Sequence, residues 1–357
     1  MLASFLYLMG SFLLSVVICW LLVAQADRHL HLTGDRIEGP QKFHEKPVPR
    51  IGGVAIVSGL IMGAFWPIES AALIKLFLLA ALPVFLAGLI EDVTKSVAPL
   101  LRLAAAMVTG GLFVLNADTV ILSLGWPVLD LFLESRWLAM AVTVIAIAAL
   151  ANAINIIDGL NGLSMGNVMI AAAGIAWLAT AAGDAALGRA ALFLLVCVLG
   201  VGLYNFPAGR IFVGDGGAYL MGAVLAMLLI MLPARNPEIS PVASALLVAY
   251  PLWELLRSAV RRTLASQQSA LEPDAKHLHS LIFSDIQART AAKPDRLRML
   301  APNPAAGLRV LLLPLLGGIW TIIFSHDRWL LLIGVVVTIL LFEVIYRRSR
   351  KQQFSEA

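Results

Sequence analysis

The chain has 357 residues, of which 60% are hydrophobic and 13% charged, and its mean hydropathy is +0.89. A soluble domain carries roughly 25% charged residues, so this composition excludes an ordinary soluble enzyme or binding module. The formal net charge of +4 requires no nucleic-acid partner, because basic residues concentrated on the inner face of a membrane explain it.

Apolar runs recur along the whole chain and predict an all-α polytopic membrane protein, since a transmembrane helix needs about 20 predominantly apolar residues. We expect a single integral-membrane domain over residues 1–357, with eleven transmembrane helices. The predicted spans lie near residues 3–24, 51–68, 71–91, 101–116, 137–155, 165–183, 187–205, 217–233, 241–257, 307–325 and 329–346. The first run has no basic region before it, so we interpret it as a retained helix.

Lysine and arginine predict the orientation, because they are enriched in cytoplasmic segments. With the N-terminus outside, the cytoplasmic segments and the adjoining helix ends hold 21 of the 26 Lys and Arg residues. We therefore predict an external N-terminus and a cytoplasmic C-terminus, with a cytoplasmic loop at 258–306 and an external loop at 117–136. The external loop alternates weakly and could form a small hairpin.

Five polar motifs fall on the predicted cytoplasmic side, and the first is KPVPRIGG at residues 46–53. Its two glycines allow close approach of another backbone. Lys46 and Arg50 are expected at the membrane surface, where they could either anchor the chain or bind phosphates.

The second motif, GLIEDVTKS, places Glu91 and Asp92 side by side at the end of the third predicted span. Two carboxylates at a helix C-terminus repel each other and oppose the helix dipole. Lys95 compensates part of this charge, and a divalent cation would compensate more. The alternative is a solvated helix end.

The third motif is NAINIIDGLNGLSMG, in which Asn152, Asn155, Asp158 and Asn161 recur every three residues. On a straight helix each such step drifts by about 60°, so the four side chains cannot share one face. The intervening glycines predict that the helix ends here and that the chain turns back. Amide and carboxylate oxygens suit Mg²⁺, and amides also pair with nucleobases; polar capping of two helices is the alternative.

The fourth motif, FVGDGGAYLMG, places Asp215 among glycines directly before an apolar span. Asp215 could cap the helix, but the number of glycines exceeds what a cap needs. Phe212 lies three residues earlier and could offer its ring face to a base.

The fifth motif is PDAKHLHS, with His277 and His279 spaced by two. Zinc is disfavoured because cysteine ligands are absent. A basic cluster binding a diphosphate fits better, as does a histidine that transfers a proton. Together the five motifs supply oxygen ligands for a divalent cation and cationic groups for phosphates, which phosphoryl transfer requires.

In this order, the five motifs resemble those of the polyprenyl-phosphate N-acetylhexosamine-1-phosphate transferases, and the resemblance spans nearly the whole chain. It implies a Mg²⁺-dependent enzyme of the bacterial cytoplasmic (inner) membrane. Such an enzyme transfers a sugar-1-phosphate from a UDP-sugar to undecaprenyl phosphate and releases UMP. The family includes dimers, which leaves a homodimer open.

The resemblance also implies roles for individual residues. The metal ligands would be Asp215 and, second, Asn155. The catalytic group would comprise Glu91, Asp92, Asp158, His277 and His279. The substrate-binding group would comprise Lys46, Lys95, Asn152, Asn161 and Phe212, with Phe212 and Asn161 holding the uracil.

Three positions depart from the family pattern. Glu91 replaces the first aspartate of an Asp-Asp pair, Ser280 replaces the final histidine of HxHH, and Glu254 replaces the aspartate of PxxD. The sequence PDAKHLHS resembles that of O-antigen and teichoic-acid initiators more than the HHH run of the peptidoglycan enzyme. We therefore expect an initiator of surface polysaccharide synthesis, of the lipopolysaccharide type.

The sequence leaves open one alternative mechanism and one alternative function. The reaction could pass through a phosphorylated Asp92 instead of direct attack by the lipid phosphate. A membrane transporter of lipid-linked or anionic solutes is the rival function. It is disfavoured because transporters place polar segments near the bilayer midplane between repeats, and no repeat is visible here.

Overall fold

The structure is a computed structural model that describes residues 2–34, 48–264, 277–291 and 300–355. Within these ranges the chain is helical and contains no β-strand; one isolated antiparallel bridge joins Gly34 to Pro49. The helices are α1 (Leu2–Ala24), α2 (Ala26–Thr33), α3 (Gly52–Phe65), α4 (Ala71–Thr94), α5 (Pro99–Ala117), α6 (Pro127–Leu133), α7 (Arg136–Ile156), α8 (Leu163–Ala181), α9 (Ala185–Asn205), α10 (Gly214–Arg235), α11 (Pro241–Leu247), α12 (Ala249–Leu264), α13 (Leu278–Ala291), α14 (Pro302–Phe324) and α15 (Arg328–Ser355).

Within the described ranges, nine helices are long and apolar enough to cross a membrane. They are α1, α4, α5, α7, α8, α9, α10, α14 and α15. The protein is therefore an all-α polytopic membrane protein, as the hydropathy predicted.

Two of the eleven predicted spans take a different form. The span at 51–68 is the 14-residue helix α3, which ends before Trp66, where the following Pro67 disfavours helical backbone. The span at 241–257 is divided into α11 and α12 at Val248. Pro251 lacks the amide hydrogen that would bond to the carbonyl of Leu247, so a continuous helix loses a bond at this point.

The two predicted loops also contain helices. The hairpin expected at 117–136 is wrong: the segment contains the short helix α6, which begins at Pro127. Asp130 accepts hydrogen bonds from the amide of Leu124 (2.7 Å) and the hydroxyl of Ser123 (2.8 Å), which fold the preceding residues back onto α6. In the predicted cytoplasmic loop 258–306, α12 continues to Leu264, and α13 and the start of α14 follow among the described residues.

Helix α10 lies at the centre of the bundle. It packs against α3, α4, α5, α7, α8, α9 and α11, and every residue from Gly214 to Leu232 is buried. By contrast, α1 buries few of its residues. The sequence of α10 is apolar on all sides and has no amphipathic pattern. Such a sequence predicts a helix that is surrounded by other helices in the core of a bundle.

Small residues bring the neighbouring helices close to α10. A Cβ added at Gly53 of α3 would lie 2.4 Å from the Cα of Gly217, and one added at Gly88 of α4 would lie 2.5 Å from the amide nitrogen of Gly216. On the α7 side, a Cβ at Gly222 would lie 2.7 Å from the Cα of Ala151. Helices in membranes associate through such close backbone contacts, and these contacts fix the first turn of α10 against α3 and α4.

Gly222→Ala should destabilise the bundle, because the new methyl group would meet the α7 backbone rather than a movable side chain. Overpacking of this kind typically costs about 1–3 kcal/mol. We expect a lower melting temperature for the detergent-purified protein, measured by tryptophan fluorescence. The control is Gly202→Ala in α9, where no atom beyond the adjoining backbone of α9 lies within 4 Å of the added carbon. Equal melting temperatures for the two variants would contradict this account of the packing.

Candidate active site

The five polar motifs meet at one end of the bundle. The C-terminal ends of α4, α7 and α9 lie there together with the N-terminal ends of α3, α8, α10, α13 and α14, as the contacts below show. The opposite end carries ion pairs instead, including Arg235 with Asp184 (2.5 Å) and Arg189 with Glu69. The Lys and Arg distribution predicts that the motif end is cytoplasmic.

Asp92 caps helix α10 from the end of α4. Its Oδ1 accepts the amide hydrogen of Asp215 (2.8 Å), and its Oδ2 accepts that of Gly216 (2.9 Å). Asp92 is 1% exposed. The amides of a first helical turn have no partner within their own helix, so this carboxylate satisfies two of them and neutralises part of the helix dipole.

Asp215 forms ion pairs with two arginines, one from the segment before α3 and one from α5. Arg50 Nη2 donates to Asp215 Oδ1 at 2.9 Å, and Arg102 Nη1 of α5 donates to Asp215 Oδ2. Arg50 Nε also lies 3.8 Å from Asp92 Oδ1. Two guanidinium groups and two carboxylates therefore form one compact, partly buried charge cluster at the start of α10.

Glu91 points away from this cluster, although it is adjacent to Asp92 in sequence. Its Oε2 accepts the amide hydrogen of Val97 at 2.7 Å, which closes the turn after α4. Lys95 ends α4 in the left-handed conformation (φ 56°), and its Nζ donates to the backbone carbonyl of Asp92. The structure therefore separates the two neighbouring carboxylates that the sequence treats as a pair.

The asparagine motif forms the turn between α7 and α8, as its glycines predicted. Helix α7 ends at Ile156 and α8 begins at Leu163. The hydroxyl of Tyr219 in α10 donates to Asn152 Oδ1 at 3.2 Å and is also hydrogen-bonded to Asn155. Tyr219 lies one helical turn after Asp215, so both amides of α7 lie next to the charge cluster.

Asp158 lies in this turn and accepts a hydrogen bond from the hydroxyl of Ser164. Burial raises the pKa of Asp158 to about 7; the Ser164 hydrogen bond and the nearby charge of Arg50 oppose this effect, and the carboxylates of Asp215 and Asp92 add to it. Asp158 is therefore part of the same electrostatic environment as the charge cluster.

Asn161 is fixed by the 205–209 segment and by α14. Its backbone amide donates to Asn303 Oδ1 (2.8 Å), and its Nδ2 donates to the carbonyl of Pro207 (3.1 Å). Phe212 follows three residues after this segment, and its backbone amide donates to the carbonyl of Pro49 (2.8 Å). The motif around Phe212 thus joins the asparagine turn to the first motif.

The two histidines lie at the start of α13 and are buried. His277 Nδ1 lies 2.9 Å from Glu254 Oε1, and its ring stacks on that of His279 at 5.5 Å with an interplanar angle of 2°. His279 packs against Gly159, where an added Cβ would lie 2.6 Å from its Nε2. Burial, and after it the charge of His277, lower the pKa of His279 to about 3, so His279 is neutral at physiological pH.

Sequence reasoning missed several partners of these residues. Arg102 was not singled out, because one arginine near the start of an apolar helix carries no distinguishing pattern. Ser164, Tyr219 and Asn303 are equally ordinary in sequence. Glu254 stood out only as a departure from the family pattern. Lys46, which was predicted to bind substrate, lies outside the described residues.

Comparisons with known proteins identify related sequences. A family model described as Glycosyl transferase family 4 matches residues 74–233, which contain the second, third and fourth motifs. A probable undecaprenyl-phosphate N-acetylglucosaminyl 1-phosphate transferase of Bacillus subtilis (strain 168) is 26% identical over 314 residues, covering 85% of this chain and 81% of that protein.

Two further relatives carry different names. A decaprenyl-phosphate N-acetylglucosaminephosphotransferase of Mycobacterium tuberculosis (strain CDC 1551 / Oshkosh) is 30% identical over 273 residues, covering 66% of this chain and 65% of the relative. A phospho-N-acetylmuramoyl-pentapeptide-transferase of Moorella thermoacetica is 27% identical over 253 residues, covering 68% and 79%. With five motifs in family order, converging at one end of an α-helical membrane bundle, the chain is similar to the polyprenyl-phosphate N-acetylhexosamine-1-phosphate transferases, and residues 74–233 match the Glycosyl transferase family 4 model.

Proposed function

We propose that the protein transfers an N-acetylhexosamine-1-phosphate from a UDP-sugar to undecaprenyl phosphate and releases UMP. The observation that carries this proposal is the charge cluster of Arg50, Arg102, Asp92 and Asp215 at the end of an otherwise apolar bundle. Guanidinium groups match phosphate oxygens in geometry and charge. A cluster at a helix end is accessible to a water-soluble nucleotide and to a lipid headgroup, which favours transfer at a surface over transport through the midplane.

The site residues fit a Mg²⁺ ion in their chemistry. Among the described residues, no three His, Cys, Asp or Glu side chains form a metal-binding group. Mg²⁺ typically binds through one or two carboxylates, with substrate phosphates and water as its other ligands. Asp215 attracts two cationic groups already, and we propose it as the principal ligand with the amide oxygen of Asn155 as the second. Bound there, Mg²⁺ would neutralise the diphosphate and stabilise UMP as the leaving group.

We propose direct attack by a phosphate oxygen of the lipid on the β-phosphorus of the UDP-sugar. A new P–O bond forms to the lipid phosphate, and the bond from the β-phosphorus to the oxygen bridging to the α-phosphate breaks. The attacking phosphate has a second pKa near 6, so it needs no strong base. Arg50 and Arg102 would exchange their contacts with Asp215 for contacts with the phosphates, and Lys46, Lys95, His277 and His279 would add positive or hydrogen-bonding groups.

The geometry favours a positioning role for Asp92 over a covalent one. Both of its oxygens accept backbone amide hydrogens, and it is almost fully buried. A nucleophilic carboxylate would have to break these bonds and leave the first turn of α10 unsatisfied. We therefore propose that Asp92 orients Asp215, that Glu91 holds the adjacent turn, and that Asn152, Asn161 and Phe212 line the nucleotide site.

We further propose that the product serves surface polysaccharide synthesis of the lipopolysaccharide type in the bacterial inner membrane, because of the PDAKHLHS sequence. Curated relatives include both N-acetylglucosamine and N-acetylmuramoyl-pentapeptide transferases by name. A panel of UDP-sugars therefore decides which donor this chain uses.

The transfer reaction is tested with detergent-purified protein, radiolabelled UDP-N-acetylglucosamine, undecaprenyl phosphate and Mg²⁺. We expect label in the organic phase, and at least 100-fold less with Asp215→Asn because the principal ligand loses its charge. The matched control is Asp184→Asn, which removes a carboxylate at the opposite end of the bundle. Full activity of Asp215→Asn would contradict the assignment of Asp215 as the metal ligand. If the unmodified protein transferred no sugar-1-phosphate from any UDP-sugar, the proposed reaction would be wrong.

Arg102→Gln should lower kcat/KM for the UDP-sugar by roughly 10- to 100-fold, since a hydrogen bond to a charged group contributes about 1.5–3 kcal/mol. Removing a guanidinium that competes for Asp215 should also lower the Mg²⁺ concentration that gives half-maximal rate. Arg189→Gln, whose partner is Glu69 at the opposite end, serves as the control. An unchanged kcat/KM, or a raised Mg²⁺ requirement, would argue against the exchange of arginine contacts.

Asp158→Asn should stabilise the metal-free protein increasingly as pH rises. The pKa of Asp158 is raised from 3.8 to about 7 in the folded state, so ionisation disfavours folding between these two values. Melting temperatures measured in EDTA should be similar at pH 4, should diverge up to about pH 7 with the variant higher, and should keep a constant difference above that pH. A constant difference between pH 4 and about pH 7 would contradict the raised pKa.

A further inference from the structure

Among the described acidic residues that have no part in the proposed reaction, Glu254 is the most deeply buried. It lies in α12 and has 0% exposure. Its Oε1 lies 2.9 Å from His277 Nδ1, and its Oε2 accepts the amide hydrogen of Leu278 at 3.1 Å. Both oxygens of one carboxylate are therefore committed to two consecutive residues.

These contacts make Glu254 the cap of another helix. Leu278 is the first residue of α13, and first-turn amides need an acceptor from outside their helix. A negative charge at this position is also favourable because of the helix dipole. Glu254 thus fixes where α13 begins relative to α12.

Glu254 also determines the chemical form of His277. The ring nitrogen that faces a carboxylate carries the hydrogen, which assigns Nδ1–H as the donor. Nε2 is then the ring atom directed away from Glu254. A buried carboxylate without this donor would be strongly unfavourable, so the pair holds the ring in one orientation.

The contact continues from His277 to the asparagine turn. His277 stacks in parallel on His279, and His279 Nε2 packs against Gly159 with no space for a Cβ. Gly159 follows Asp158 directly in the sequence. One chain of contacts therefore joins α12, through two imidazole rings, to the turn that also holds Asn161.

We propose that Glu254 is a positioning residue that aligns His277 and His279 with the asparagine turn. This inference rests on the proposed transfer reaction, in which the histidines face the substrate phosphates. This role requires both the negative charge and the length of the Glu254 side chain. Gln has one acceptor oxygen for two N–H donors, and the side chain of Asp is one methylene shorter and reaches less far toward α13.

Glu254→Gln and Glu254→Asp are compared with the unmodified protein in the transfer assay. We expect kcat to fall at least 10-fold in both, with KM for the UDP-sugar changed less than threefold, because Arg50 and Arg102 keep their places beside Asp215. The matched control is Glu343→Gln. Glu343 also binds α12, accepting hydrogen bonds from Arg257 Nε (2.7 Å) and Trp253 Nε1 (3.2 Å), and these partners lie in α12 rather than α13.

A second readout does not depend on turnover. Protein labelled with ¹⁵N-histidine reports the tautomer of each ring, and His277→Asn identifies the signal of His277. We expect the unmodified protein and Glu343→Gln to show the Nδ1–H form of His277, and Glu254→Gln to change it.

The outcomes separate the two proposals. If Glu254→Gln lowers only the melting temperature and leaves kcat within twofold of Glu343→Gln, Glu254 is structural and the inference is overturned. If no UDP-sugar is turned over but the His277 signal changes in Glu254→Gln alone, the proposed reaction fails while the positioning of His277 stands. An unchanged His277 signal in Glu254→Gln overturns the positioning itself.

Discussion

The site depends on one carboxylate that accepts two backbone amide hydrogens inside the membrane bundle. Asp92 supplies the partners that the first turn of α10 lacks. A buried amide without an acceptor costs about 1–3 kcal/mol, so the helix can begin at this buried position only where such an acceptor is present. Because Asp215 belongs to that same turn, the interaction that satisfies the backbone also determines where the second carboxylate lies.

The surrounding helices approach this point closely because they meet it with glycines. Gly53 and Gly88 lie directly against Gly217 and Gly216, which leaves no room for side chains between α10 and its neighbours. The charged groups then enter from the periphery: Arg50 from the segment before α3 and Arg102 from α5. Charged groups that are already positioned at the end of a closely packed backbone are well suited to binding substrates whose charge changes during the reaction.

The sequence predicted the fold class and the location of the motifs because hydropathy and helix-breaking glycines act locally. The end of α7 before Asp158 and the start of α10 near Asp215 follow from such local signals. The ion pairs and hydrogen bonds of the site could not be predicted from such signals, because they join segments far apart in the chain. Arg102 and Asp215, for example, are separated by 113 positions. The division between α11 and α12 was missed because an apolar average over the window obscured the effect of Pro251. The hairpin was wrong because weak alternation was outweighed by Pro127 and the hydrogen bonds to Asp130.

The central position of α10 has a consequence for the order in which the protein is made. Asp92 precedes Asp215 by 123 positions, so α4 leaves the ribosome well before the helix whose amides it binds. At a synthesis rate of about 5–20 residues per second, the delay is roughly 6–25 s. During this interval Asp92 has Arg50, which precedes it in the chain, as an available counter-ion. Arg50, which lies between the two carboxylates in the finished bundle, is thus available to stabilise Asp92 before Asp215 is synthesised.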